Sequence, residues 1–325
     1  MRFAAPEDFR VEEIPLFPAS GKGEHTYLHV EKIRRSTEEV ARELARAAGV
    51  RPRDVGYAGR KDRFAVTTQW FSVPGFSPES ARTFARDGVR VLSAVPHEHK
   101  LRVGQLAGNR FALVLRDLPG AESSRAAERL EAFAARGFPN RFGSQRFGRD
   151  GGNAEVGRQV LAGETAMRDR RRARFLVSAL QSAVFNDVLA SRRDAGACLE
   201  AGDVAVVHES GGLFVVEDPE SEQPRADRLE ISATGPIFGT RVMTPVGPPA
   251  ERERNALAAR GVELGGPLPR GLRLRGGRRP LRAWPRDAES QRAGSALHLR
   301  FVLPAGSYAS VLVEELLAIE PVRAG

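Results

Sequence analysis

Apolar residues recur along this chain with two different periods, and the changes of period mark its elements. Residues 7 to 33 read as extended structure interrupted by the turn-forming "PASGKGEH", and in "HTYLHVEK" apolar and polar positions alternate as on a strand. A helix follows, because Ser36 and Glu39 have capping-box spacing, Val40, Leu44 and Ala48 share one face, and Gly49 closes it. "AVTTQWFSV" is the next strand, and in "RFALVLRDL" the side chains of Phe111, Leu113 and Leu115 fall on one face of another. A helix is predicted over 123–136, stopped by Gly137, and a second begins near Ala154. Between them lies "FPNRFGSQRFGRDGGN", rich in glycine, arginine and phenylalanine.

The long stretch "RRARFLVSALQSAVFNDVLASR" reads as an amphipathic helix with Leu176, Leu180, Val184, Val188 and Leu189 on its inner side. "DVAVVHESGGLFVVED" reads as a hairpin, followed by the strand-like "LEISATGPIFG" and a charged helix near 249–260. At the end, Leu297, Leu299, Phe301 and Leu303 alternate as a strand, Pro304 to Gly306 turn, and a helix follows. This last strand and helix have no core of their own, so both are expected to rejoin the N-terminal sheet. The region between would then be an insertion in a discontinuous domain.

A chain of 325 residues can bury a sizeable core. Fifty Lys and Arg against 41 Asp and Glu leave a formal charge of +9. Most of the cations are arginine, which forks onto phosphates and stacks on bases, so nucleic acid is the first partner to consider. The single cysteine, Cys198, excludes an intrachain disulfide framework and a thiolate zinc cage. No apolar run reaches membrane-spanning length, and the acidic N-terminal stretch is unlike a secretory signal, so a cytoplasmic setting is expected.

"GYAGRKD" lacks Walker spacing, no "GxSxG" elbow occurs, and "HEH" at 97–99 reads as an exposed polar loop rather than a metal site. Two clusters remain. In "VGYAGRKDRFAVTTQW", Asp62 stands among Arg60, Lys61 and Arg63. Such a stretch can be a solvated loop with a local ion pair. Equally, the cations would keep Asp62 ionised, the glycines allow tight backbone geometry, and the strand that follows can hold the loop rigidly. In "PNRFGSQRFG", Asn140, Phe142, Arg146 and Phe147 interleave rings, guanidiniums and an amide. Each phenylalanine could simply be core, but the combination suits an unstacked base.

At these residues the chain resembles the TruD family of tRNA pseudouridine synthases. The resemblance is carried by "PEDFRVEE", "GYAGRKDRFAVTTQW", "LRVGQLAGNRFALVLR", "GFPNRFGSQRFGRDGGN", "RFLVSALQSAVFNDVLASR" and "LRFVLPAGSYASVLVEELL", which follow the family's order and span nearly the whole chain. It implies an α+β fold: a pseudouridine-synthase core with a mixed, largely antiparallel sheet, interrupted by a TruD-type insertion domain. The expected division is 1–164 for the first part of the core, 165–283 for the insertion, and 284–325 for the closing strand and helix. The implied activity is isomerisation of uridine to pseudouridine in tRNA, typically at position 13, by a monomer needing no cofactor or metal.

The resemblance also implies that Asp62 is the catalytic aspartate, as nucleophile or base, that Phe142 stacks on a base, and that Asn140 lies close to the site. Lys61, Arg63 and Arg146 are expected to bind substrate. One departure bears on activity. The family usually has a lysine or arginine three residues before the proline of "PEDF", able to pair with the aspartate, and here Phe3 holds that place. Arg2, Lys61 or Arg63 would have to substitute, or the scaffold binds RNA with weak or no synthase activity.

Overall fold

The computed structural model describes residues 3–240, 242–263 and 272–319. Along the chain run β1 (Phe9–Pro15), β2 (His25–Ile33), α1 (Thr37–Ala47), β3 (Gly56–Tyr57), β4 (Val66–Pro74), α2 (Pro78–Arg82), β5 (Ala85–Arg86), β6 (Val89–His97), β7 (Leu106–Leu115) and α3 (Gly120–Arg136). There follow β8 (Phe138–Pro139), α4 (Asn153–Leu161), α5 (Arg170–Ala190), β9 (Val204–Val207), β10 (Leu213–Val215), α6 (Pro219–Asp227), β11 (Ile231–Ile237) and α7 (Gly247–Ala259). The last elements are β12 (Gly277–Pro280), β13 (Arg282–Ala283), β14 (Arg286–Ala293), β15 (Ala296–Pro304) and α8 (Ala309–Leu316).

These elements form two compact units, each discontinuous: Met1–Glu131 with Pro285–Gly306, and Ala132–Trp284 with Ser307–Gly325. The breaks in packing thus fall at 131/132 and 284/285, against the 164/165 and 283/284 read from the sequence. The earlier first break has a local cause: α4 lies so close along α5 that a Cβ on Gly157 would stand 2.2 Å from the Leu176 carbonyl oxygen, so α4 belongs with the unit that α5 organises.

In the first unit the strands form a nine-stranded sheet in the order β14-β15-β7-β1-β4-β2-β6-β5, with β3 also paired to β4. Only β1 and β4 run parallel, through Arg10↔Val66 to Glu12↔Thr68, so the sheet is mixed and largely antiparallel. The fold is α+β. Alternation along β2 gives the sheet two different faces. Leu28 and Val30 point into a core closed by Val40 and Leu44 of α1, Phe71 and Val73 of β4, and Phe84. Tyr27 points the other way, with Ala58 and Leu101, toward Phe17 and Trp70. The capping box forms as expected: Ser36 Oγ accepts from the Glu39 N–H at 3.2 Å, and Glu39 Oε2 accepts from the Ser36 N–H at 2.7 Å.

The second unit is arranged around α5. One side of this helix, with Ala183, Phe185 and Leu189, packs on β9 and β11 together with Phe142 and Phe147. The other side, with Val177, Leu180, Val184 and Val188, packs against residues of α4 and α7. The single inner face expected from the sequence is therefore incomplete: Ala183 and Phe185 form a second buried face, and Leu189, expected with Leu180, Val184 and Val188, packs there instead. The expected hairpin is present, β10 pairing β9 antiparallel from Leu213↔Val206 to Val215↔Val204.

Two further expectations are corrected. The closing strand does rejoin the first sheet, β15 pairing β7 from Leu297↔Leu115 to Pro304↔Gly108, but the closing helix belongs to the second unit. Its Glu314 and Glu315 both hold Arg141. At "HEH", His97 is buried rather than exposed. Its ring packs against Phe17 and Tyr27, and its Nδ1 accepts from the Ser20 N–H at 3.0 Å. Among the described residues no His, Cys, Asp and Glu side chains gather as a metal site would, and no helix is long and apolar enough to cross a membrane.

Candidate active site

The loop between β3 and β4 is suspended by hydrogen bonds to its backbone. Gly59 O accepts from Gln69 Nε2 at 3.2 Å, the Lys61 N–H donates to Thr37 Oγ1 at 2.9 Å, and Asp62 O accepts from Lys32 Nζ at 3.0 Å. Thr37 in turn donates to Gln69 Oε1 at 2.8 Å, and Lys32, Thr37 and Gln69 are all fully buried. Three polar side chains planted in the core hold one exposed turn. The two motif glycines do not adopt left-handed geometry. Gly56 is needed for close approach instead, since a Cβ there would stand 2.2 Å from Leu101 O.

The three cations around Asp62 each have their own carboxylate. Arg60 pairs with Glu38 at 2.6 Å and Arg63 lies 3.8 Å from Glu39, both acids in the first turn of α1. Lys61 turns inward to a buried ion pair with Glu13 at 2.5 Å. Arg63 remains mostly exposed, and Lys61 does not. Asp62 itself is exposed, its Oδ1 accepts from the Phe64 N–H at 3.2 Å, and among the described residues its carboxylate enters no ion pair. The neighbouring cations thus fasten the loop to α1 and β1.

Arg2 lies outside the described residues. Phe3 packs edge-on against Phe9, with ring centroids 4.8 Å apart. Lys32, missed in the sequence, is the buried cation beside the aspartate. Its ammonium also donates to Arg35 O at 2.7 Å. Burial depresses its pKa to about 8, an effect that the nearby Asp62 opposes and Lys61 reinforces. The alternation of "HTYLHVEK" marks Lys32 as facing the same way as Leu28 and Val30, and a lysine on an apolar face is the signal that could have found it.

In the second unit Phe142 is buried in a stack. The Arg279 guanidinium lies 4.3 Å from its ring centroid and that of Arg146 lies 5.8 Å away, with Phe185 edge-on at 5.5 Å and Tyr308 at 6.0 Å. The Asn186 side chain holds the Phe142 backbone, Oδ1 accepting from its N–H at 2.8 Å and Nδ2 donating to its carbonyl at 3.0 Å. Asn140 is buried and serves as a bracket. Its Nδ2 donates to Pro280 O at 2.9 Å, while its Oδ1 accepts from Arg279 Nη2 at 2.6 Å and Ser307 Oγ at 3.1 Å. Arg146 donates to Ser182 Oγ at 3.2 Å and Ser178 Oγ at 2.8 Å. Burial depresses the pKa of Arg146 and pushes that of Arg279 down to about 10.

The family profile of "tRNA pseudouridine synthase D (TruD)" matches residues 4–168 and 167–316. The chain belongs to the TruD family. It is 44% identical over 321 residues to a tRNA pseudouridine synthase D of Anaeromyxobacter sp. (strain Fw109-5), covering 96% of this chain and 91% of that protein. It is 41% identical to that of Thermus thermophilus, covering 97% and 88% respectively. A crystal structure from Methanosarcina mazei, described under the TruD name, superposes with a TM-score of 0.72 at 21% identity, over 98% of this chain and 94% of that one, and so shares the fold.

Within this TruD chain the structure groups Asp62, Lys61 and Arg63 in the first unit, and Asn140, Phe142 and Arg146 in the second. Residues the sequence reading missed complete each group: Lys32 and Glu13 in the first, Arg279 and Tyr308 in the second. Tyr308 stood in plain view in "PAGSYAS", whereas Arg279 is one of many arginines in "RGLRLRGGRRP" and nothing local distinguishes it.

Proposed function

We propose that this chain is a tRNA pseudouridine synthase in which Asp62 performs the chemistry. The observation that carries the reading is an exposed carboxylate, free of ion pairing among the described residues, on a loop whose backbone is tied at three points to the core. Isomerisation breaks the bond between ribose C1′ and uracil N1, turns the base, and forms a bond from C5 to C1′. N1 gains a proton and C5 loses one. A carboxylate contributes either by adding to C1′ or by removing the C2′ proton to give a glycal, and in both roles it must be ionised. Asp62 is exposed to water, and the buried Lys32 ammonium donates to its backbone carbonyl.

The target nucleotide has to leave its stack, at a cost of a few kcal/mol, before C1′ is exposed. Phe142 supports the reading as the ring on which a base would stack, with Asn140, Arg146 and Arg279 defining its position. Position 13 of tRNA is the target we propose, in the cytoplasm, by a monomer that needs neither metal nor cofactor. A second reading, RNA binding with little turnover, is favoured by one observation: Phe3 is packed on Phe9 where the family carries a cation.

The test is release of tritium from tRNA transcribed with [5-³H]uridine. Wild type is expected to release it and Asp62→Asn to release none. Retention of tRNA without release by wild type would select the binding-only reading, and absence of tRNA binding would end both. Affinity is expected to fall steeply as salt is raised, because each phosphate neutralised releases counterions.

A further inference from the structure

On the sheet face opposite the α1 core, a cavity of about 300 Å³ opens beside β2 and β4. Its walls include Phe17, Tyr27, Trp70 and Leu101, with Glu13 and Gln105 as polar members, and most of its surface is apolar. Each ring is braced from outside the cavity. Trp70 stacks on His29, its cross-strand partner, at 4.8 Å and 13°. Phe17 stacks on His97 at 5.5 Å and 16°, and Tyr27 packs on the same imidazole at 4.1 Å. The Tyr27 hydroxyl is buried and, among the described residues, has no hydrogen-bond partner. An unanswered buried hydroxyl is costly, and native structures seldom keep one unless something else completes it.

Flat walls with a few polar groups among them, the Tyr27 hydroxyl, Glu13 and Gln105, suit a planar ring that carries a polar edge. The volume is at the small end for ligand sites, which favours one ring system over an extended ligand. In a chain of net charge +9 from a tRNA-modifying family, the ring of that description is a nucleobase. Arg102, the residue after Leu101, is exposed.

We propose that this cavity is a second base-binding subsite, which takes one unpaired nucleobase of the tRNA other than the isomerised uridine. The proposal rests on the tRNA reading above. Glu13 connects the subsite to the chemistry: its Oε1 accepts from the Trp70 backbone N–H at 3.1 Å, and its Oε2 holds the ammonium of Lys61, the residue before Asp62. A base seated against Trp70 therefore bears on the same carboxylate that anchors the catalytic loop. Occupancy selects tRNAs able to present a second extruded base, and steadies Asp62 when they do.

The test compares wild type, Phe17→Ala and Tyr27→Phe for tRNA affinity by filter retention and for turnover by tritium release. tRNAs carrying one abasic nucleotide at each unpaired position are used alongside. Removing a stacking ring is expected to weaken affinity and raise KM about tenfold or more, with kcat changed far less. Tyr27→Phe, which alters no shape, is expected to weaken binding several-fold while thermal stability holds or rises, because an unsatisfied hydroxyl is gone. One abasic position should reproduce the Phe17→Ala penalty in wild type and add nothing to it in the variant.

Wild-type affinity in both variants, or abasic penalties that add in full at every position, would overturn the subsite. Trp70 fluorescence, read in a Trp284→Phe background, that responds to a small apolar probe and stays unchanged by tRNA would overturn it too. If Phe17→Ala fails to fold, Tyr27→Phe and the abasic series decide. Because affinity is read apart from turnover, a wild type that binds tRNA without isomerising it defeats the proposed function and leaves this test standing.

Discussion

The two units hold their key side chains in opposite ways. Asp62 is exposed, and the structure fixes it through its backbone, by Lys32, Thr37 and Gln69 reaching out of the core. Phe142 is buried, and the structure fixes it through its ring, between Arg279, Arg146, Phe185 and Tyr308. The difference follows from solvation. A carboxylate taken out of water would raise its pKa and lose the charge its chemistry needs, whereas a ring gains by every contact that removes it from water. A reactive anion is therefore best located from behind, and an aromatic ring through the side chains packed against it.

This contrast makes mutations sort oppositely by what they damage. The largest effect expected is on turnover: Asp62→Asn should lower kcat at least about 10,000-fold, roughly 5.5 kcal/mol of barrier, with thermal stability nearly unchanged because asparagine keeps the acceptor for the Phe64 N–H. Phe142→Ala should instead cost about 4 kcal/mol of folding stability by denaturant titration. If Asp62→Asn unfolds the protein, or Phe142→Ala leaves stability intact, the contrast is wrong. Arg279→Lys should cost about 2 kcal/mol, since an ammonium can neither lie flat on Phe142 nor fork onto Asn140 O and Oδ1.

The smallest effect expected is a pH dependence. Lys32 has a folded-state pKa of about 8, below the roughly 10.4 of an unfolded lysine. Between those values the unfolded chain binds more protons, so the Lys32 contribution to stability rises with pH from about 8 and levels off near 10.4. Turnover should move the other way. As the ammonium discharges, its hold on Asp62 O and Arg35 O weakens and the cation beside Asp62 disappears, so kcat should decline by several-fold through pH 8. Stability and activity profiles of wild type and Lys32→Met check this. An alkaline limb that persists unchanged in Lys32→Met would assign it to another group.

How far these features were legible before the structure depends on their range in sequence. The capping box at Ser36 and Glu39 and the β9–β10 hairpin involve neighbours within a few residues, and periodicity reveals them. The second buried side of α5 was less visible, because its Ala183 and Phe185 are read as lining only once a sheet is known to cover them, and Leu189, read from periodicity as part of the first side, packs with them. The charged stretch around Asp62 was conspicuous, but the partners of its cations were not. Glu13, Glu38 and Glu39 lie more than twenty residues away, and nothing local distinguishes them from other surface acids.

What the sequence determined by itself is therefore local and chemical. It set the strands and helices through their periods, the net positive charge, and the two motifs that carry Asp62 and Phe142, because each of these is written within a short span of chain. The tertiary structure alone decided which buried lysine stands beneath Asp62, that Lys61 turns inward to Glu13, that Asn140 braces Arg279, and that the last helix leaves the sheet its strand had joined. Each is a pairing between segments far apart along the chain. Such pairings form only where folding has removed competing water, so no reading of neighbours could assign them.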